Sequence, residues 1–252
     1  MIESKHYTTG FFEGHENGAL SSAKKVIPLV NKAINPQSVI DVGCGVGNWL
    51  KVWKEDIGIA NIRGIEGPYL SPSLLQISPD YVLFQDLKQQ FQVTGKFDLA
   101  MSLEVAEHLP AGSAHHFIKS LTALSDVILF SAAIIGQEGT YHINEQPPEY
   151  WADIFDSYGY VPVDYLRDKI WNDSDIEWWY QQNLLIYVKK TRLEDFPELA
   201  ESRKKTSKHL LRIHPWIYYY KHKQIVKTKT WMGYTRWRLY PLKRYVKSMF
   251  KK

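Results

Sequence analysis

VIDVGCGVGNWL, residues 39–50, joins a predicted strand to a glycine-rich turn and the start of a helix. The residues on either side of Asp41 are β-branched and apolar, which is typical of a strand with both faces covered. A helical pattern begins at Asn48. Glycine lets the backbone adopt positive φ and lets a ligand approach with no Cβ in the way. The stretch therefore predicts a ligand-binding turn at a sheet edge, with glycines at alternate positions: Gly43, Gly45 and Gly47.

The composition predicts one globular core with an appendage. The chain has 252 residues, of which 44% are hydrophobic and 23% charged. A single cysteine, Cys44, excludes a disulfide framework. The charged N-terminus lacks the apolar segment of a signal peptide, and the longest apolar run, residues 127–135, is too short to span a bilayer. We expect a cytoplasmic protein, either soluble or peripheral at the inner membrane face.

The charges divide the chain into two different regions. Residues 1–190 hold 14 Lys/Arg against 23 Asp/Glu, a net charge of −9, whereas residues 191–252 hold 17 against 4, a net charge of +13. Helical periodicity from Leu20 to Asn35 precedes the first strand. We therefore predict three parts: an N-terminal lid or cap helix (1–35), a ligand-binding domain (36–190) and a basic aromatic tail (191–252).

Strand and helix patterns alternate through the middle region. This alternation predicts an α/β fold with a parallel sheet and helices on both faces. Helical patterns cover residues 48–55, 111–123 and 147–157. The predicted strands are residues 39–42, 60–66, 81–84, 97–103, 126–132, 160–164 and 183–189.

The string Asp41-x-Gly-Cys-Gly-x-Gly resembles motif I of the class I S-adenosylmethionine (SAM)-dependent methyltransferases. The resemblance implies a Rossmann-like, mostly parallel sheet of seven strands that closes with an antiparallel hairpin, and it implies SAM as cofactor. An acid about 20 residues beyond the glycines, at the end of the next strand, is placed to accept bonds from ribose hydroxyls, and the resemblance gives this role to Glu66. Asp86 is the candidate for the adenine amino group, although a helix N-cap explains it nearly as well. The predicted cofactor set is Asp41, Gly43, Cys44, Gly45, Gly47, Asn48, Glu66, Gly67, Asp86, Leu87, Leu103 and Glu104.

Acids and histidines follow the fourth strand. Glu104, Glu107 and His108 would share one face of a helical turn, and His142 follows the fifth strand at the same sheet edge. Glu107, His108 and His142 are the predicted catalytic residues, with a neutral histidine as general base. The same four side chains are candidate ligands for Mg²⁺ or Mn²⁺.

The Glu-x-x-Glu-His string followed by a later histidine resembles two metal-assisted groups, the small-RNA 3′-terminal 2′-O-methyltransferases and the ubiquinone-pathway O-methyltransferases. In such enzymes the metal lowers the pKa of the acceptor hydroxyl. Many class I methyltransferases carry Glu-His here without a metal, so both alternatives stay open.

The stretch His142-Ile-Asn-Glu-Gln-Pro-Pro-Glu-Tyr-Trp resembles a motif of bacterial methyltransferases encoded with polysaccharide biosynthesis. Polar and aromatic side chains of this kind suit a hydroxylated ligand. Three tryptophans among acids in residues 171–180 also suit a sugar, whereas the acids would repel a phosphate-rich ligand. The predicted substrate residues are Asn144, Glu145, Gln146, Tyr150 and Trp151.

The tail has the composition of a surface-binding segment. From Ser202 onward there are 16 Lys/Arg, no acid and ten aromatic residues. An anionic membrane surface is the favoured partner for residues 202–252, with nucleic acid or docking on a protein surface as alternatives.

The sequence predicts a SAM-dependent methyltransferase that O-methylates a sugar or glycan hydroxyl in polysaccharide or lipid-linked glycan biosynthesis. The alternatives are metal-assisted RNA 2′-O-methylation and SAM binding without catalysis. The sequence gives no oligomeric state.

Overall fold

The computed structural model describes residues 9–91 and 93–226, with side chains from Gly18 onward. Its chain divides into two compact units, Met1–Arg212 and Ile213–Lys252. The strands are β1 Ser38–Val42, β2 Asn61–Glu66, β3 Val82–Phe84, β4 Leu99–Leu103, β5 Val127–Ser131, β6 Tyr160–Val163 and β7 Leu185–Lys189. The helices are α1 Thr9–Ile34, α2 Asn48–Glu55, α3 Ala114–Leu124, α4 Pro148–Ser157, α5 Arg167–Ile170, α6 Trp178–Asn183, α7 Pro197–Lys205 and α8, residues 215–226. Short 3₁₀ turns occupy Pro72–Leu74, Pro79–Tyr81, Ala106–His108, Ala111–Ser113 and Lys190–Asp195.

The seven strands form one sheet in the order β3-β2-β1-β4-β5-β7-β6. Strands β1 to β5 run parallel to one another, whereas β7 runs antiparallel to both β5 and β6. β1 and β4 therefore lie side by side at the centre, and their carboxyl ends meet at one edge. The predicted Rossmann-like sheet with a closing antiparallel pair is confirmed.

Alternate residues of each central strand enter two separate apolar cores. Val39 of β1 packs in the core that contains α1 and α2, whereas Ile40 packs in the core that contains α3 and α4. Strands with both faces buried need continuous apolar runs, which explains the β-branched residues around Asp41. α1 begins at Thr9, earlier than the predicted Leu20.

The first unit extends past the predicted boundary at residue 190. Arg167 is almost fully buried and forms a bidentate pair with Asp164, while it also donates to the carbonyl oxygens of Gln182 and Leu210. Arg212 pairs with the same Asp164 carboxylate at 3.1 Å. Residues 191–212 therefore belong to the first unit because a buried charge network holds their backbone there.

The described part of the tail contains α7 and α8, whereas residues 227–252 lie outside the described residues. Across the part of the chain that the structure describes, no helix has both the length and the apolar character needed to cross a bilayer.

Replacement of Arg167 by methionine should destabilise the fold. The substitution leaves two buried carbonyl groups without a donor and removes the main partner of Asp164, so we expect a loss of about 3–5 kcal/mol in the free energy of unfolding. Urea unfolding followed by circular dichroism measures this loss. The control Arg192→Met removes an exposed arginine that pairs with Asp195 and Asp126, and it should barely move the transition. Equal midpoints for the two variants would contradict the structural role of the Arg167 network.

Candidate functional site

The glycine turn after β1 is held in a conformation that only glycine adopts easily. Gly43, Gly45 and Gly47 have φ values of 80°, 53° and 90°. A Cβ on Gly43 would lie 2.4 Å from Val105 Cγ2, so the turn also packs against the segment that follows β4. A Cβ on Gly45 would meet no described atom within 4 Å. The Gly45 backbone therefore faces open space, as a turn that receives a ligand requires.

Glu66, at the end of β2, braces this turn from the side. One carboxylate oxygen accepts the backbone N–H of Gly45 at 2.6 Å, and the other accepts the N–H of Gly67 and the hydroxyl of Tyr69, both at 2.7 Å. Burial raises the pKa of Glu66, against the lowering effect of these three bonds. The oxygen that binds Gly45 can accept one more bond. The geometry allows the predicted bond to a ribose hydroxyl, which stays a prediction.

Asp41 is a buried carboxyl group that lacks a full set of hydrogen-bond partners among the described residues. Its Oδ1 has no hydrogen-bond partner in the described part of the chain. Burial, with a smaller contribution from Glu66, raises the Asp41 pKa to about 8. A buried carboxylate that is short of partners fits a cationic group of a ligand, because such a group would supply the missing bond and charge. The α-ammonium group of SAM has this chemistry.

The predicted cofactor residues converge on one cavity of about 420 Å³. Asp86 lines this cavity, and its carboxylate also caps the backbone N–H of Lys88 at 3.0 Å. A capping bond does not decide whether Asp86 also contacts adenine, so that role stays a prediction. Gly47 belongs to the turn but not to the cavity wall. The residues from the predicted set that line the wall are Asp41, Gly43, Cys44, Gly45, Asn48, Glu66, Gly67, Asp86, Leu87, Leu103 and Glu104.

Glu104 reaches the cavity through an unusual backbone conformation. It ends β4 with φ 55°, and the chain then forms a 3₁₀ turn at Ala106–His108. The sequence predicted a helical turn through Glu104, Glu107 and His108, but Glu104 has a left-handed conformation and lies outside the 3₁₀ turn that contains the other two residues. The Glu104 carboxylate accepts bonds from Gln137 Nε2 at 3.0 Å and Asn183 Nδ2 at 3.1 Å. Burial raises its pKa to about 7.

The structure brings Glu107, His108 and His142 together, each with one ligand-capable atom within 4.8 Å of the others. Glu107 is 0% exposed, and neither of its side-chain oxygens has a partner with hydrogen-bond geometry in the described part of the chain. Burial, and then the charge of Glu104, raises the Glu107 pKa well above its usual range. Glu104 lies beside this group rather than in it.

Both histidine rings are oriented by their Nδ1 atoms. His142 Nδ1 lies 2.9 Å from Glu145 Oε1, and His108 Nδ1 lies 3.3 Å from the carbonyl oxygen of Tyr141. If each Nδ1 donates to its oxygen, each Nε2 carries the lone pair, which is the usual arrangement in metal-binding histidines. Burial lowers the His108 pKa to about 4, so His108 is neutral near pH 7. The donor set therefore fits a divalent cation, held by Glu107, His108 and His142.

Glu145 also fixes the loop that carries His142. Its carboxylate accepts the backbone N–H groups of Gly136 and Glu138, both at 2.7 Å, in addition to its contact with the His142 ring. Glu138 and Tyr141 have φ values of 61° and 60°, conformations that a non-glycine residue adopts only when its surroundings impose them. Glu145 therefore holds a strained loop and a functional ring at the same time.

The predicted substrate residues lie behind the cavity wall and not on it. Asn144 is buried, and its backbone N–H donates to the carbonyl oxygen of Glu107, while its side chain accepts a bond from Gln146. Trp151 is buried against Phe130, with ring centroids 5.6 Å apart. Tyr150 packs edge-on against Trp151. Direct contact of these residues with a substrate stays a prediction, because their described contacts are with the protein.

Several wall residues are absent from the predicted site. Trp178 and Trp179 line the cavity. They belong to the tryptophan-rich segment, residues 171–180, whose composition suits a sugar. Gln137 and Asn183, which bind Glu104, gave no sequence signal, because polar residues at loop and helix ends are common everywhere. Ala19 of α1 also lines the wall, which agrees with a cap helix.

A protein-family model described as "Methyltransferase domain" matches residues 15–132. This range runs from α1 through β5 and contains the glycine turn, Glu104, Glu107 and His108. Among curated proteins, none matches the sequence significantly.

Solved structures of low sequence identity share the fold. The SAM-bound amino pentose methyltransferase CalS10 of Micromonospora echinaspora has a TM-score of 0.53 at 12% identity, over 73% of this chain and 98% of that one. The magnesium protoporphyrin IX methyltransferase of Synechocystis PCC 6803, with bound SAM, has a TM-score of 0.50 at 20% identity, over 75% and 95%. The sugar N-methyltransferase KedS8 of Streptoalloteichus sp. ATCC 53650 has a TM-score of 0.50 at 17% identity, over 71% and 91%.

Calorimetric titration with Mn²⁺ tests the donor set without any enzyme assay. A metal site at this group predicts one Mn²⁺ per chain, with affinity lowered at least about 100-fold in His142→Ala and Glu107→Gln, because each variant removes a ligand atom rather than a supporting contact. His116→Ala, an exposed histidine of α3, is the matched control and should bind like the wild type. Identical titration curves for all four proteins would exclude this group as a metal site.

Proposed function

We propose that the chain is a class I SAM-dependent methyltransferase and that it transfers the methyl group of SAM to a hydroxyl group of a sugar or glycan. One observation carries the proposal: a single cavity is lined by the glycine turn and Glu66 on one side and by Glu107, His108 and His142 on the other. A methyl donor held at the first group would face proton-accepting side chains at the second.

The donor side of the cavity is suited to SAM. The open backbone at Gly45 gives the cofactor room to approach, and Asp41 offers a carboxylate to its ammonium group. The remaining accepting position on the Glu66 carboxylate suits a ribose hydroxyl. SAM, when bound, supplies an activated methyl group on a sulfonium, so the protein needs only to align donor and acceptor and to manage the acceptor proton.

The acceptor side is suited to an oxygen nucleophile. A hydroxyl group must lose its proton as the methyl group is transferred, and this requires a positioned base. His142 offers Nε2 for that purpose because Glu145 holds Nδ1. His108 stays neutral beside it and adds a hydrogen-bond acceptor for a neighbouring hydroxyl.

The aromatic wall favours a sugar acceptor. Trp178 and Trp179 present flat apolar surface to the cavity, and sugar rings pack on such faces through their C–H groups. Two of the structures with the same fold are named as an amino pentose and a sugar methyltransferase, whereas a third is named for a porphyrin. The fold alone therefore does not select the acceptor, and the proposal depends on the wall and the base.

A second candidate is metal-assisted methylation of a vicinal diol, such as the 3′ end of an RNA. It is favoured by the convergence of Glu107, His108 and His142 within 4.8 Å. A divalent cation held by these residues would lower the pKa of a coordinated hydroxyl. Asp173 and Asp175 would be unfavourable for RNA, but Lys25 pairs with both, at 3.8 Å and 3.0 Å, and reduces their net charge.

Turnover of methyl-labelled SAM separates these functions. Nucleotide sugars and oligosaccharides form one acceptor panel and small RNAs with free 3′ diols form another, each assayed with and without a chelator. The proposal expects label in the sugar panel that survives chelation. Label in RNA that chelation abolishes would transfer the assignment to the second candidate. Tight SAM binding without label in either panel would point to SAM binding without catalysis.

Loss of the Glu66 carboxylate should weaken SAM binding. We expect Glu66→Ala to cost about 1–3 kcal/mol of SAM affinity, since it removes both the ribose acceptor and the brace on Gly45. Calorimetric titration measures the change, and thermal unfolding checks that the variant is folded. Glu55→Ala, at the exposed end of α2, is the control. Unchanged SAM affinity in a folded Glu66→Ala protein would remove Glu66 from the cofactor site.

Glu145 should act on catalysis through His142. We expect Glu145→Gln and His142→Gln each to lower kcat at least about 100-fold while the KM for SAM changes little, because the donor side of the cavity is left intact. The comparison requires the acceptor identified by the labelling assay. Glu194→Gln, an exposed acid, is the control. If Glu145→Gln retained the wild-type kcat and pH profile, the carboxylate would not orient a catalytic base.

A further inference from the structure

The second unit presents an apolar surface that the methyltransferase site does not use. Among the described residues, eleven large hydrophobic side chains are exposed, and seven of these lie in residues 213–226. They are between 41% and 64% exposed: Ile213, Trp216, Tyr218, Tyr219, Tyr220, Ile225 and Val226. Such a concentration of apolar side chains on a protein surface marks an interaction site.

The exposed hydrophobic residues of α8 lie all around the helix except near Ile217. At 100° per residue, Tyr219 and Val226 lie opposite Ile217, which is buried, and Tyr218 and Ile225 form the adjacent row. Stacked ring pairs preorganise the two flanks of this surface: Trp216 stacks on Tyr220 with centroids 5.4 Å apart on one flank, and Tyr218 stacks on His222 on the other. The helix therefore presents a broad face of aromatic and aliphatic side chains that are already partly ordered.

The charge of this segment has one sign. α8 contains Lys221 and Lys223 and no acid, and the whole sequence from Ser202 to the end contains 16 Lys/Arg and no Asp or Glu. A partner must therefore accept apolar and aromatic side chains and also carry negative charge. Both requirements are met by an anionic phospholipid surface, where tyrosine and tryptophan lie at headgroup depth and lysines contact the lipid phosphates.

We propose that α8 docks the protein on an anionic phospholipid bilayer by its exposed face, with Tyr218, Tyr219 and Ile225 in the interface and Lys221 and Lys223 at the lipid headgroups. The exposed aliphatic side chains of α8, Ile225 and Val226, favour a lipid partner over a nucleic acid. Nucleic acids are bound through phosphate contacts and ring stacking, to which exposed isoleucine and valine add little, whereas the same side chains gain free energy by entering the acyl boundary. The helix lies in the interface and does not span it.

Sedimentation of the full chain with lipid vesicles tests the docking. Vesicles with about 30% phosphatidylglycerol should bind the protein at about 0.1 M salt, and vesicles of phosphatidylcholine alone should not. The variant Tyr218→Ser/Tyr219→Ser/Ile225→Ser should bind the anionic vesicles at least about tenfold more weakly. Lys221→Gln/Lys223→Gln should weaken binding about fivefold per lysine, and this difference should shrink at high salt.

Matched controls separate the helix from general surface effects. Ile135→Ser removes an exposed isoleucine elsewhere, and Lys24→Gln/Lys119→Gln removes two exposed lysines, so both should bind like the wild type. Depth is measured independently with an environment-sensitive dye on Ile225→Cys, because Cys44, the natural cysteine, is buried. Its emission should shift to the blue on anionic vesicles, whereas the dye on Ile135→Cys should not respond.

Three results would overturn the proposal. They are the absence of vesicle binding by the wild type, wild-type binding by the triple variant, and an unshifted dye at position 225. Tighter binding to single-stranded RNA than to anionic vesicles at the same salt, lost in the same variants, would assign the face to nucleic acid instead. None of these outcomes depends on methyl transfer, so they test the docking separately from the proposed function.

Discussion

The close contact between Gly43 and Val105 is the constraint on which the site depends. β1 and β4 are neighbours at the centre of the sheet, and the polypeptide must turn sharply at the end of each strand. The first turn does so at Gly43 and the second at Glu104, both with positive φ. A side chain at Gly43 would collide with Val105. The absence of that side chain lets the two turns line one cavity. The proposed methyl-donor site lies at the first turn, and the proposed proton acceptors follow the second.

The cavity also concentrates carboxyl groups. Asp41, Glu66 and Glu107 are buried and Glu104 is half-buried, and Lys88 is the one lysine or arginine on the described wall. Buried carboxyl groups are costly unless they are paired or hydrogen-bonded. Backbone N–H groups offset part of this cost at Glu66, and side-chain amides do so at Glu104, whereas Asp41 and Glu107 retain oxygens that find no partner among the described residues. The two groups left short of partners lie where a cationic cofactor and a divalent ion would be expected.

Local patterns in the sequence located the strands, whereas the seven-stranded sheet with its closing antiparallel hairpin was implied by the family resemblance. Each of the seven strands was found to within about two residues, because buried strands require β-branched runs and the turn after β1 requires glycine. The predicted cofactor residues, apart from Gly47, line one cavity because the neighbouring strand ends lie beside that turn, and their contacts with a cofactor stay a prediction. The geometry after β4 could not be obtained in this way. Spacing suggested a helix through Glu104, whereas the observed turn depends on Gln137 and Asn183, which are distant in sequence.

The segment from Asn144 to Trp151 shows a related limit. Its polar and aromatic composition suits a ligand, but the same side chains serve equally well to hold a loop and fill a core. Only the tertiary structure shows that Glu145 binds two backbone N–H groups and the His142 ring. Composition identifies what a side chain can do, whereas the packing around it determines which of its bonding positions are still available.

The raised pKa values of two carboxyl groups also give the folding stability an unusual dependence on pH. The folded chain holds the protons of Asp41 and Glu104 more tightly than the unfolded chain does, because their pKa values rise to about 8 and about 7 from 3.8 and 4.5. The stability that these two groups contribute is therefore complete below about pH 4 and declines as the pH rises towards 8. Most proteins gain stability from their acids over this range. A cationic ligand that keeps these carboxylates ionised would reverse the trend, so that the ligand-free chain is weakest under the neutral conditions in which the ligand binds best.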